Sequence, residues 1–86
     1  MITTLDQKLI HTILQEIEAS LSHGVLPVHN GHLKHLSEEG EILEYLLLMK
    51  TQGLISGDLV TKCATSTPFR MTNIRLTYVG IKALRS

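Results

Sequence analysis

Apolar residues recur at helical spacing in two stretches, Leu5–Leu21 and Ile42–Met49; after Gly57 they do not. That change of period constrains the fold more than any other feature. A stripe at 3.6-residue spacing and a β-prone extended run bury their faces in different kinds of layer, so an α+β domain is predicted. Leu5, Leu9, Ile10, Ile13, Leu14, Ile17 and Leu21 form the first stripe, with Asp6, Lys8, Gln15, Glu16 and Glu18 on its outer side. The pattern predicts a helix capped by Thr4, with Gln7 completing a capping box and His23-Gly24 as the stop. Val25–His29 reads as a short extended piece, confined to a sheet edge because Pro27 has no N–H for a ladder. Asn30-Gly31 marks a turn, and His32–Leu36 fits either one helical turn or an irregular connection.

A second helix is expected from Ser37 as N-cap. Glu38, Glu39 and Glu41 crowd its first turns, where the positive end of the helix dipole favours carboxylates. Its inner face takes Ile42, Leu43, Leu46, Leu47 and Met49, with Tyr45 at the border, and Gly53 ends it before Leu54-Ile55 returns to the core. An interior glycine costs about 1 kcal/mol relative to alanine, so Gly40 suggests a neighbouring element packed closely on it. Leu59–Ala64 and Asn73–Tyr78 are β-prone runs joined through Thr65–Thr72, a hairpin with a long tip. Thr77 then caps a short last helix, with Val79, Ile81 and Leu84 available to bury. The sum is one domain over residues 1–86, with three to four helices and a small three-stranded antiparallel sheet. That order is the winged helix, a helix-turn-helix variant with a β-hairpin wing.

Two segments sharpen this expectation. Ser37–Ile55, ending in Gly53-Leu54-Ile55, looks like the recognition helix and following G-L-I of many bacterial winged helices. Leu76-Thr77-Tyr78-Val79-Gly80-Ile81-Lys82-Ala83-Leu84 looks like their closing L-T-x-x-G-x-x-x-L. Together with Ile13–Glu18, these segments resemble a family of small uncharacterised winged-helix proteins of bacteria and their phages, over nearly the whole chain. The resemblance implies a winged-helix fold and a phage or prophage origin. Its motifs are structural: a buried Leu-Ile pair, a cap and a helix-contact glycine. It carries no catalytic or binding residue with it.

Charge is segregated along the chain although eight basic residues balance eight acidic ones. Residues 1–45 set Lys8 and Lys34 against Asp6, Glu16, Glu18, Glu38, Glu39, Glu41 and Glu44, a net of −5. Residues 46–86 set Lys50, Lys62, Arg70, Arg75, Lys82 and Arg85 against Asp58, a net of +5. His29-x-x-His32-x-x-His35, followed by Glu38, has zinc-ligand residue types on helical spacing. Pro27 and Asn30-Gly31 interrupt the helix that would align them, so loop histidines and no metal are expected. Histidines charge on the acid side of ~6.5, so the five here take the neutral molecule towards +5 in acid. Cys63 reads as a small packed residue, and no phosphate loop, nucleotide fingerprint or nucleophile elbow is present. An enzyme and a cofactor are therefore not expected. The single cysteine and the absence of a signal-like start point to a cytoplasmic location, and the longest apolar run, Tyr45–Met49, is too short for a membrane span.

Two functions follow, using opposite halves of the charge. A DNA-binding regulator would place Lys34 and Lys50 near the reading helix and Lys62, Arg70 and Arg75 on the wing. A module that docks on a phage or host protein would use Glu38, Glu41 and Glu44, with Phe69 as an anchor at the wing tip. The all-round apolar Tyr45–Met49 segment, with Leu48 pointing partly away from the inner face, suggests a homodimer.

Overall fold

A computed structural model describes residues 6–61 and 70–85; Thr4, Leu5, Lys62, Cys63 and Phe69 lie outside them. Helix α1 (Gln7–Ser22) begins after Asp6, whose carboxylate accepts from the N–H groups of Lys8 and Leu9 at 3.0 and 3.3 Å. Asp6 thus caps the helix where Thr4 was expected to, and its charge suits the positive end of the dipole better than a hydroxyl does. Ile10, Ile13, Leu14 and Ile17 are the buried stripe. Gly24 closes the helix at φ +79, in the left-handed region.

The expected third strand does not form. Among the described residues the sheet has two antiparallel strands, β1 (Ile55–Val60) and β2 (Arg70–Leu76). On the other side of β2, two separate acceptors stand where a strand would pair. The Ile74 N–H donates to the Val28 carbonyl at 2.9 Å, and the Met71 N–H donates to Asn30 Oδ1 at 3.1 Å. Pro27 has no N–H to contribute, and the chain already turns into a 3₁₀ helix at Asn30–Leu33. Asn30, only 4% exposed, supplies from its side chain the carbonyl that strand backbone would have offered.

Helix α2 (Glu39–Thr51) starts one residue later than expected. Its N-cap is Glu38, without a side-chain capping bond. The Ser37 hydroxyl donates instead to the Glu41 carboxylate, a charged acceptor that forms a stronger bond than a neutral one. Ile42, Leu46 and Met49 are buried as expected, and Tyr45 is core rather than border. Its hydroxyl accepts the Asp6 N–H at 3.0 Å, which satisfies the polar end of the ring at the start of α1. Gly40 is exposed, with nothing within 4 Å of where a Cβ would stand, so the close contact inferred for it is absent.

Both strands begin earlier in the chain than their β-prone runs suggest, β1 at Ile55 and β2 at Arg70. Ile55 pairs with Leu76, Ser56 with Arg75, Leu59 with Met71 and Val60 with Arg70. Arg70, Met71 and Thr72 are therefore strand, not hairpin tip. A bulge lies opposite Gly57, where Asn73 takes φ +57 and its Nδ2 donates to Asp58 at 3.3 Å. The extra residue lets Met71 and Ile74, three positions apart, both reach the core.

Helix α3 (Tyr78–Arg85) is capped by Thr77, whose Oγ1 accepts the Gly80 N–H at 3.0 Å. The same hydroxyl donates to the Gly53 carbonyl at 2.5 Å, while the Thr77 N–H donates to Leu54 at 3.2 Å. Gly80 lies against that Leu54 carbonyl so closely that a Cβ would collide with it. This contact fixes the roll of α3: Gly80, Ala83 and Leu84 turn inward. Val79 and Ile81, expected to bury, are exposed instead. Among the described residues no helix is long and apolar enough to cross a membrane.

Candidate interaction surface

The outward side of α2 carries Glu41, Glu44, Leu48 and Thr51, all exposed. Their spacing of three, four and three residues keeps them on one side of the helix. Exposed Glu38 precedes them and exposed Lys50 stands in the last turn. The helix dipole accounts for carboxylates near the N-terminus. It does not account for Glu44, more than a turn further on.

The described ion pairs leave this side untouched. Arg85 reaches Glu18 at 3.2 Å and His35 lies 3.7 Å from Glu16, so both contacts fall on α1. Glu38 and Glu44 have no ion-pair partner among the described residues, and Glu41 has only the Ser37 hydroxyl. A stretch of α2 about 15 Å long, at 1.5 Å per residue, therefore presents negative charge ending in an exposed leucine.

The basic residues do not gather around α2. Exposed Lys34 follows the 3₁₀ helix, and Lys50 closes α2. Arg70 and Arg75 sit at opposite ends of β2, both exposed. Arg75 borders two shallow grooves, one with Leu26 and Pro27, the other with Glu18, Leu21 and Ile81. Its neighbours are thus the end of α1 and the outside of α3. Lys62 and Phe69 lie outside the described residues.

The three spaced histidines part company. His29 and His32 stack with centroids 4.0 Å apart, while His35 turns to Glu16. His29 Nδ1 accepts the Gly31 N–H at 3.0 Å, and His32 Nδ1 accepts the His29 N–H at 3.1 Å. Each bond uses the Nδ1 lone pair, which puts the proton of the neutral ring on Nε2. Burial holds the His29 imidazole below its ordinary pKa, with nearby His32 and Arg70 acting in the same direction. The His29 imidazole thus caps the 3₁₀ helix in its neutral form, with the His32 ring accepting from the His29 backbone beside it. Among the described residues no three His, Cys, Asp or Glu side chains come together as a metal site.

Sequence reasoning missed the Arg75 grooves and the outward stripe of α3. One signal was present: Gly80, Ala83 and Leu84 are small or apolar at i, i+3, i+4, the spacing of a face that packs closely. Comparison with family models, curated proteins and solved structures finds no match.

Proposed function

We propose that this chain is a winged-helix protein-interaction module, whose second long helix docks on a basic partner protein through Glu38, Glu41, Glu44 and Leu48. The winged-helix assignment draws on element order: α1, a short helical turn, α2, an antiparallel hairpin, then a closing helix. The hairpin takes the place of the wing, and the Val28–Asn30 segment stands where the usual third strand would be. The observation that carries the docking role is the run of carboxylates on the exposed side of α2, without cationic partners among the described residues and followed by an exposed leucine. Duplex DNA offers one phosphate per ~1.7 Å of helix axis. Entering a groove with this helix would set Glu38, Glu41 and Glu44 against that charge with Lys50 alone to offset them. A basic protein surface meets the same helix with attraction, and charge complementarity there sets orientation and association rate.

The test replaces Leu48 with a photocrosslinking amino acid in cells of the source organism. A basic protein captured by this variant, and lost when Glu41→Lys and Glu44→Lys are added, supports the docking role. Mobility shift of random duplex DNA is the opposing measurement. Retardation that is strong at low salt, collapses towards ~0.2 M and needs Lys34, Lys50, Arg70 or Arg75 would overturn it in favour of DNA binding.

A further inference from the structure

The outer side of α3 and the neighbouring sheet edge form a second surface, of opposite character. Leu26 is 64% exposed and Tyr78 75% exposed. Ile81 is exposed as well and lines one of the grooves beside Arg75; Leu26 lines the other. Tyr78, Ile81, Lys82 and Arg85 follow i, i+3, i+4, i+7, so they make one stripe along α3.

The charges on this surface do not cancel. Glu18 is paired with Arg85 at 3.2 Å, and Asp58, which accepts from the Asn73 amide at 3.3 Å, is the one carboxylate left against Arg75 and Lys82, a net of +1. The Arg75 side chain makes no hydrogen bond or ion pair among the described residues, and Lys82 lies over the Tyr78 ring, 5.5 Å from its centroid. Two cations amid exposed apolar side chains suit an amphipathic helix with carboxylates one turn apart and an aliphatic residue beyond them.

Helix α2 has that pattern in Glu41, Glu44 and Leu48. We propose that the Arg75–Ile81–Lys82 surface receives α2 of a second copy of this chain, and that the reciprocal contact closes a two-fold dimer. The inference rests on the docking role of α2 and names one basic partner for it. Complementary charge selects the second copy as occupant: the Glu41–Glu44 side of α2 in each molecule meets the Arg75–Lys82 surface of the other. Zero net charge removes the long-range repulsion that would keep copies apart. A domain of this size buries a limited share of its surface, which favours covering exposed apolar groups by association. Because both surfaces occur once per chain, a two-fold arrangement uses both and leaves neither open for chain growth.

The test is a charge-swap cycle read by sedimentation equilibrium, with far-UV circular dichroism to confirm that each variant folds. Wild type should show a dimer at low ionic strength that dissociates towards ~0.5 M salt, where screening acts within a few ångströms. Glu41→Lys with Glu44→Lys gives a chain basic on both surfaces; Arg75→Glu with Lys82→Glu gives one acidic on both. Each alone should be monomeric, and mixing the two should restore a dimer containing one of each. A wild type that stays monomeric at millimolar concentration and low salt overturns the proposal. So does a mixture that stays monomeric, or a mass that grows past two chains. Loss of the dimer leaves α2 uncovered, and photocrosslinking from position 48 then still reports whether another basic protein docks there, so failure of the dimer and failure of the docking role are separable.

Discussion

The two ends of α2 are anchored by joints of different chemistry. At the trailing end, Gly53 and Leu54 meet Thr77 and Gly80 through backbone carbonyls, a hydroxyl and one glycine without side-chain bulk. At the leading end, the 3₁₀ helix that precedes α2 is held by two imidazoles and a buried amide: His29, His32 and Asn30. The trailing joint is steric and its groups do not titrate. The leading joint depends on the Nδ1 acceptor of His29, and protonation of that ring removes it. One helix is therefore held by a contact with no room for an added atom and by another that protonation of His29 weakens.

The largest effect that would sharpen this contrast is Gly80→Ala. The new Cβ meets the Leu54 carbonyl, a backbone atom that cannot move aside. A loss of about 3 kcal/mol is expected, which in a domain this size lowers the melting temperature by about 10 °C or more. A melting temperature unchanged by this substitution would mean that the joint can open at little cost.

Acid acts at the other joint, with a smaller effect. The pKa of His29 is lower in the folded state than in the unfolded chain. Its contribution is therefore complete above the unfolded value of ~6.5 and is lost progressively as pH falls below it. Urea midpoints measured from about pH 7.5 down to about pH 5 should decline on the acid side. The slope should shrink in His29→Asn, which keeps a short side-chain acceptor but cannot take up a proton. Identical slopes in the two proteins would break the contrast between the joints.

Gly40→Ala is the smallest effect and has the opposite sign. The position is open, so alanine gains helix propensity without a clash, by about 0.5 kcal/mol. A loss on this substitution would show that the N-terminus of α2 is more closely packed than the leading joint allows. Gly40 and Gly80 share a residue type, yet the same methyl should help at one and damage at the other.

Much of this was legible in the amino-acid order because it is local. The α1 stripe, the stop at Gly24, the Thr77 cap and the extended period after Gly57 are set by residues a few positions apart. The close approach of a glycine was anticipated too, but assigned to Gly40 as well as to the closing motif. Nothing local distinguishes an open glycine from a crowded one. The acidic side of α2 was readable from its glutamates. The Arg75 surface was not, because its members come from α1, the Leu26-Pro27 connection, β2 and α3.

By itself the sequence determined where the three long helices lie, that an extended pair falls between the second and third of them, and how charge divides along the chain, since period, caps and side-chain type act over one or two turns. Tertiary structure alone decided that the third strand would be replaced by one carbonyl and one amide, that Tyr45 would be core, and which face α3 would turn outward. Each of these depends on a partner distant in the chain. Asn30 bonds Met71 across 41 residues, Tyr45 bonds Asp6 across 39, and Leu54 abuts Gly80. Contacts of that range exist only once the layers have closed on one another.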